Sequence, residues 1–276
     1  MNVNARTLAV LWAVLVVLPA AARAQPTIGV LGITSEIAPI ERRLQDSREV
    51  AVQGYVFRAG TLNGRQVVVG RSGAGKVNAS IVATLLISHF NPTAVLFSGT
   101  AGAIDRDLYP GDVVIGTAVA QHDAGVQTPG GITRRGMRNA VTGELDPVIV
   151  PAPEILLAVA RQSVRGLSLP PVRTAAGERV PRIVEGVIVT GDVFLSDGGR
   201  REELRRSLGA TAVEMEGAAV VQTCRQFSVS CLVVRSVTDR ADTQAQTDYE
   251  QFRSAASENA AALVAAIITR LEAGLR

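Results

Sequence analysis

The sequence predicts an α/β fold: a single three-layer domain whose central mixed, mostly parallel, twisted sheet is flanked by helices. Three observations carry that expectation. Short β-branched runs alternate with helix-length segments from residue 26 to the C-terminal end, as strands joined by crossover helices do. Each run closes on Gly, Ser, Thr or Asp, the residues that stop strands and begin turns. No internal repeat and no linker-like stretch interrupts the alternation, so one domain over 25–276 is expected.

Ahead of that domain, Arg6 is followed by an apolar stretch from Leu8 to Leu18 and by Ala22-Arg23-Ala24, a small-x-small cleavage site. This is the layout of a secretory signal peptide over 1–24, cut between Ala24 and Gln25. The apolar run is short for a membrane span. The mature protein is therefore expected in a bacterial periplasm or outside the cell, with no stable membrane association once the signal is gone. The whole chain of 276 residues has a formal charge of +3, and loss of Arg6 and Arg23 leaves 26 basic and 25 acidic residues. No Lys/Arg run concentrates that charge, so nucleic acid is not an expected partner.

The elements follow in order. PTIGVLGIT (26–34) and RQVVVGRS (65–72) read as strands. GRSGAGKVNAS (70–80) lacks the GxxxxGK[ST] spacing of a phosphate loop and reads as a structural turn into a helix over 76–90. TAVLFSGT (93–100) and DVVIGTAVA (112–120) are the next strands. Residues 124–147 are rich in glycine and turn formers, as are 165–184, and loops of that length are functional covers or disordered. A helix over 152–164 separates them. EGVIVTGDVF (185–194) reads as a strand, RREELRRSL (200–208) as a helix and ATAVEME (210–216) as a strand. GAAVVQTCRQF (217–227) forms a helix, VSCLVVRSVTD (229–239) a strand, and a long last helix runs from about Tyr249 to Leu271. Cys224 and Cys231 flank the turn between the two segments before that helix and read as separate buried thiols. No Cys/His cluster has metal-ligand spacing.

In an open α/β sheet, ligands bind beyond the carboxyl ends of the strands. Those ends are polar throughout: Thr34-Ser35-Glu36, Ser98-Gly99-Thr100, Thr190-Gly191-Asp192, Glu214-Met215-Glu216 and Arg235 to Asp239. Any one of them could be a helix cap. Five together describe a rim of carboxylates, hydroxyls, an arginine and glycines facing one ligand. In extended chain Glu214 and Glu216 face one side and Met215 the other.

Six segments stand in one order along nearly the whole mature chain: IGVLGITSEIAPI, SGAGKVNAS, VLFSGTAGAI with PGDVVIG, VTGDVF, AVEMEGAA and VVRSVTDRAD. Together they resemble the purine nucleoside phosphorylase and nucleosidase superfamily, and within it the bacterial 5′-methylthioadenosine/S-adenosylhomocysteine nucleosidases. The resemblance implies a phosphorylase/hydrolase-like fold, a small-molecule nucleoside substrate, a homodimer, and no metal or organic cofactor. It implies hydrolysis of the bond between adenine and ribose. That reaction needs an acid for the departing base, carboxylates near the sugar and a positioned water.

By matching position, Asp239 corresponds to the acid that protonates N7 of the purine, with Thr238 orienting it. Glu216 corresponds to the acceptor for the ribose 2′- and 3′-hydroxyls, and Met215 to a side chain packed against the sugar. Glu214 either binds substrate or supports the structure. Glu36 is the candidate for activating water, although the segment before it is one residue shorter than usual in the family. Thr100 and Arg235 match positions that hold the water and Glu36. Phe194 and Leu195 fit the wall against the purine. Tyr249 or Phe252 fits the wall of the channel for the 5′-substituent, together with the 121–147 segment, which departs from the family. The superfamily's phosphorylases hold phosphate with arginines in the opening segment and before the Gly-Ser-type pair of the third strand. Here the opening segment has none and Phe97 occupies the second place, so water is the expected nucleophile.

Overall fold

A computed structural model describes residues 26–175 and 177–271. The predicted signal segment and its cleavage point lie outside the described residues. β1 (Ile28–Ile33) runs into α1 (Thr34–Glu41), and β2 (Gln45–Val52), β3 (Tyr55–Leu62) and β4 (Arg65–Ser72) follow as a meander. α2 (Lys76–Phe90) leads to β5 (Ala94–Ala103) and β6 (Val113–Gln121). A small hairpin of β7 (Gly125–Thr128) and β8 (Gly131–Arg134) precedes β9 (Ile149–Pro151) and α3 (Glu154–Val164). A second, of β10 (Val172–Thr174) and β11 (Gly177–Arg179), precedes β12 (Ile183–Thr190). Then come α4 (Gly198–Leu208), β13 (Ala210–Glu214), α5 (Gly217–Gln226), β14 (Ser230–Asp239) and α6 (Ala245–Arg270).

The strands lie in the order β13-β12-β6-β14-β5-β1-β4-β3-β2, with β9 on the side of β6. β13 also pairs with β5, antiparallel, through Ala212–Ala103 and Val213–Gly102. That pairing bends β13, β12, β6, β14 and β5 into a closed ring. The expected mostly parallel sheet is therefore corrected to a mixed, barrel-like one. Parallel pairings join β1 to β4 and β5, β5 to β14, and β12 to β6 and β13. Antiparallel ones are as numerous: β14–β6, β13–β5, β2–β3, β3–β4 and β6–β9.

The central strands are buried on both faces, and successive residues split between two cores. Val30, Leu96 and Leu232 pack with α3 and α6 through Leu156, Ala160, Ala261, Val264 and Ile268. Their chain neighbours Leu31, Val95 and Val233 pack on the opposite side with α2 and α5 through Val82, Leu86, Val220 and Val221. That period of two, with apolar residues on both sides, is what a sheet covered by helices requires. The helix ends have local causes. α2 stops at Asn91 in the left-handed region (φ 45°), and α4 starts where Asp197 accepts from the Gly199 amide and ends at Gly209 (φ 62°). α6 begins earlier than its apolar pattern suggests, at Ala245. The two Gly-rich stretches are not bare loops, since each carries one of the small hairpins. Cys224 and Cys231 are both buried and free, and Cys231 beside Cys224 and burial push the Cys224 thiol well up.

Candidate active site

The ring gathers the polar strand ends around one cavity of about 180 Å³. Ile33 and Glu36 reach it from the end of β1, Thr100, Ala101 and Gly102 from β5, and Val213 to Glu216 from β13. Thr238 and Asp239 come from β14, Val193 to Leu195 from the turn after β12, and Tyr249 from α6. Of the residues expected at the site, Phe252, the alternative to Tyr249, and the 121–147 segment do not line this cavity, and neither does Arg235. Arg235 lies directly beneath it, 1 % exposed.

Arg235 organises the floor. Its Nε donates to Glu214 Oε2 at 3.1 Å, its Nη2 pairs with the same oxygen, and Nη2 lies 3.6 Å from Glu216 Oε2. The guanidinium carbon sits 4.1 Å from the centre of the Phe97 ring, a cation–π contact inside the core. Phe97 thus supports Arg235 from below. A buried arginine is tolerable only when paired, and Arg235 is held by a carboxylate above and an aromatic face beneath.

Glu214 and Glu216 have different tasks. The oxygens of Glu214 are taken by protein donors: Arg235, the Thr190 hydroxyl, the Glu216 amide at 3.1 Å, and the Gly217 amide at 2.7 Å. The carboxylate thereby satisfies free amides at the start of α5 and compensates the arginine. Thr190 Oγ1 accepts from the next amide, Ala218, at 2.8 Å. Of the two alternatives open for Glu214, this geometry favours support. Glu216 accepts a single short bond, from the Gly75 amide at 2.8 Å. Burial, and then the Glu214 charge, push its pKa up to about 7.

The alternation of extended chain, which would turn Met215 away from the two glutamates, does not reach this far. β13 ends at Glu214, and Glu216 leaves the extended region (φ −138°, ψ −36°) as the first residue of the α5 cap. The bend puts all three side chains on the cavity wall.

Glu36 is 4 % exposed, accepts from the Thr100 amide at 2.8 Å, and bonds the Thr100 hydroxyl. Burial raises its pKa, with Arg235 and Thr100 opposing. No hydrogen bond or ion pair joins it to Arg235 among the described residues, so Thr100 is the group that holds it. Gly99 explains how both charges fit, because a Cβ there would run into the Arg235 guanidinium and the Glu36 carboxylate together.

Asp239 is 2 % exposed. Its Oδ1 accepts from the Ala241 amide at 2.9 Å, and its Oδ2 lies 2.8 Å from the Thr238 hydroxyl, which is also 3.3 Å from Ala101 O. Burial pushes this carboxyl above its ordinary range. The register of β14 on β5 shifts between Val237 and Asp239, so that Val237 faces Ala101 and Asp239 faces Gly102. That bulge turns Thr238 and Asp239 into the cavity together. Phe194 meets Tyr249 edge to face at 5.9 Å across the mouth, and Leu195 anchors the same turn in the core behind it.

Gly99 and Thr190 belong to the rim read from the sequence, which gives them no individual role, and Gly75 is read there only as part of a structural turn. The glycine turn before α2 is structural as read, yet its Gly75 amide holds Glu216. Gly75 has φ +89°, and its neighbour amide, Lys76, donates to Asp192. His122 and Asp123 stand outside the cavity, with Asp123 paired to Lys76 at 2.8 Å.

Comparison with known proteins identifies the family. The phosphorylase superfamily model matches residues 27–269. The chain is similar to the 5′-methylthioadenosine/S-adenosylhomocysteine nucleosidase of Mycobacterium bovis, at 35% identity over 82% of this chain and 90% of the relative. It is 34% identical to that of Psychromonas ingrahamii over 88% of this chain and 99% of the relative. Among solved structures, the nucleosidase from Neisseria meningitidis in complex with methylthio-immucillin-A superposes with a TM-score of 0.75 at 30% identity, covering 89% of this chain and 99% of that one. The futalosine hydrolase of Helicobacter pylori does so with a TM-score of 0.74 at 30% identity, covering 89% and 98%.

Proposed function

The chain belongs to the phosphorylase superfamily, and from that premise we propose how it works and on what: as a nucleosidase of the 5′-methylthioadenosine/S-adenosylhomocysteine type. It is an enzyme that hydrolyses the N-glycosidic bond of a purine nucleoside. One observation carries the finer reading. A buried, protonatable Asp239 and a Thr100-held Glu36 line one cavity, with Glu216 between the elements that carry them.

Asp239 donates its proton to N7 of the purine as the glycosidic bond breaks, because burial keeps the carboxyl neutral to higher pH. Thr238 serves both of its states. With its own proton directed at Ala101 O, the hydroxyl can accept from protonated Asp239; turned toward Asp239, it stabilises the carboxylate. Glu216 accepts from the ribose hydroxyls, which supply the donors that its carboxylate lacks in the free protein. Met215 packs on the sugar, and Phe194 and Leu195 wall the purine. Glu36, fixed by Thr100, takes a proton from the attacking water while positive charge grows on the sugar. Arg235 is a positioning residue, holding Glu214 and, at longer range, Glu216.

Water rather than phosphate is the nucleophile, because the one arginine beneath the cavity is already committed to two carboxylates. Release of adenine from methylthioadenosine is expected at the same rate with and without phosphate, and an Asp239→Asn protein that remains folded is expected to lose about 10²- to 10⁴-fold in kcat. Dependence on phosphate, or full activity in that variant, would sink the reading.

Residues 1–24 act as an export signal and the mature enzyme works as a periplasmic or secreted homodimer. The first rests on the charge, apolar run and cleavage site. The second rests on the resemblance and on an apolar face of α2, where Val77 is 70% and Ile81 39% exposed.

A further inference from the structure

Lys76 is the only lysine among the 28 lysines and arginines of the sequence, and its ammonium is turned inward. Nζ donates to Asp123 Oδ1 at 2.8 Å and to Gln121 Oε1 at 3.2 Å, at and just past the end of β6. Asp123 uses its other oxygen on the Asp192 amide at 3.0 Å, and Asp192 Oδ1 accepts from the Lys76 amide at 2.8 Å. Three bonds thus close a circuit through Lys76, Asp123 and Asp192, which stand at the start of α2, beyond β6 and beyond β12.

Two of the joined segments carry groups of the catalytic cavity. Gly75, one residue before Lys76, gives its amide to Glu216 at 2.8 Å. Asp192 is followed by Val193, Phe194 and Leu195, which line the cavity. The segments also touch directly, since a Cβ on Gly75 would stand 3.0 Å from Asp192 Oδ1. Lys76, Asp123 and Asp192 themselves lie outside the cavity lining. The Lys76 and Asp123 side chains are 19% and 24% exposed, so the pair is shielded better than a surface ion pair, which contributes little. Burial would raise the Asp123 pKa, but bonds from Lys76 and the Asp192 amide hold it below the ordinary carboxylate range. An ammonium is a compact charge whose three donors can point at separate acceptors, whereas a guanidinium is a flat fork on a longer stem. The seat between Gln121 and Asp123 takes the first, in a chain that uses arginine wherever else it places a long cationic side chain.

We propose that Lys76 and Asp123 are positioning residues, a clasp that fixes the purine wall relative to the carboxylate that receives the ribose. The proposal rests on the nucleosidase reading, in which Phe194 and Leu195 bear on the base and Glu216 on the sugar. Asp239 can protonate N7 only while the base is held square to it, and Glu216 grips the sugar of that same nucleoside. With the clasp closed, the two walls keep one spacing. With it open, the turn after β12 and the turn before α2 shift independently. The apolar hold on the base tolerates that shift, so a nucleoside still binds. Proton transfer and the attack of water do not tolerate it, because a misplacement of about 1 Å costs catalysis about 10²-fold.

Steady-state kinetics with methylthioadenosine separates this role from a structural one. Lys76→Met should lower kcat about 10- to 100-fold and leave KM within about threefold, in protein whose melting temperature shows it folded under the assay conditions. Lys76→Arg should recover part of the loss. Asp123→Asn should lower kcat likewise, and the double variant should be no slower than the slower single one, as members of one unit behave. A rise in KM with kcat unchanged, additive losses, or a loss matched by the unfolded fraction overturns the clasp. Hydrogen exchange read by mass spectrometry tests it without turnover. Residues 190–195 should exchange about tenfold faster in Lys76→Met, while β14 keeps its native rate. Unchanged exchange at 190–195, or faster exchange throughout the chain, overturns the clasp as well. Adenine release by the native protein tests the nucleosidase reading by itself.

Discussion

Glu214 and Glu216 are two residues apart and alike in the sequence, yet their surroundings give them opposite chemistry. Glu214 is surrounded by donors and serves as a fixed counter-charge. Glu216 has one short donor and a neighbouring negative charge, so burial and that charge lift its pKa from 4.5 to about 7. Between those values the folded protein binds more protons at this group than the unfolded chain does. The stability it contributes is therefore complete below about pH 4.5 and is lost as pH rises through about 7, by at most about 3 kcal/mol. Scanning calorimetry of the substrate-free protein should show the melting temperature falling over that interval. The slope should flatten in Glu216→Gln, and an identical slope in the variant would refute the assignment. Glu214→Gln should behave differently: it leaves Arg235 buried with a weakened partner, and a loss of about 3 kcal/mol or more is expected in denaturant titration.

At the level of elements, the strand ends matter more than the strands. β5 crosses under Glu36 and Arg235 at Gly99, and no larger residue leaves room for both charges. Gly99→Ala should cost activity and stability together, the latter by about 1–3 kcal/mol as an overpacking change, read as kcat/KM and melting temperature. Gly64 makes a useful contrast. It has φ +76° in the β3–β4 turn, where a Cβ meets nothing, so Gly64→Ala should destabilise by about 1 kcal/mol and leave kcat intact.

The strand ends were legible because catalytic groups in α/β sheets collect where strands stop, and Gly-, Thr- and Asp-rich endings mark those places in the chain. Of the β2–β3–β4 meander only β4 was read, although Gln53-Gly54 and Asn63-Gly64, all with positive φ, mark two hairpin turns. β2 is largely exposed and mixes charged with apolar residues, so its pattern resembles a loop. The Gly75–Glu216 bond had no local signature, because it joins the turn before α2 to the start of α5 across 141 positions of the chain.

At the scale of the molecule, the acid is tuned by charges outside its cavity. Burial is the largest cause of the raised Asp239 pKa, and Asp248 and Asp242 add to it. A proton donor is active on the acid side of its pKa, so activity should decline as pH rises through that of Asp239. Asp248→Asn removes one of the charges that disfavour ionisation. The basic limb of the pH–rate profile should then move to lower pH, while Asp248→Glu should keep it in place.

The seat of β14 has a consequence for synthesis. This strand lies between β6 and β5, both of which leave the ribosome more than a hundred residues earlier. Until it arrives, a nascent chain holds two unpaired strand borders facing a gap, the kind of surface on which neighbouring chains stick. A protein truncated before residue 230 should consequently aggregate instead of forming a smaller working unit. Refolding of the complete chain should wait on the insertion of this late strand, the same one that brings the proton donor.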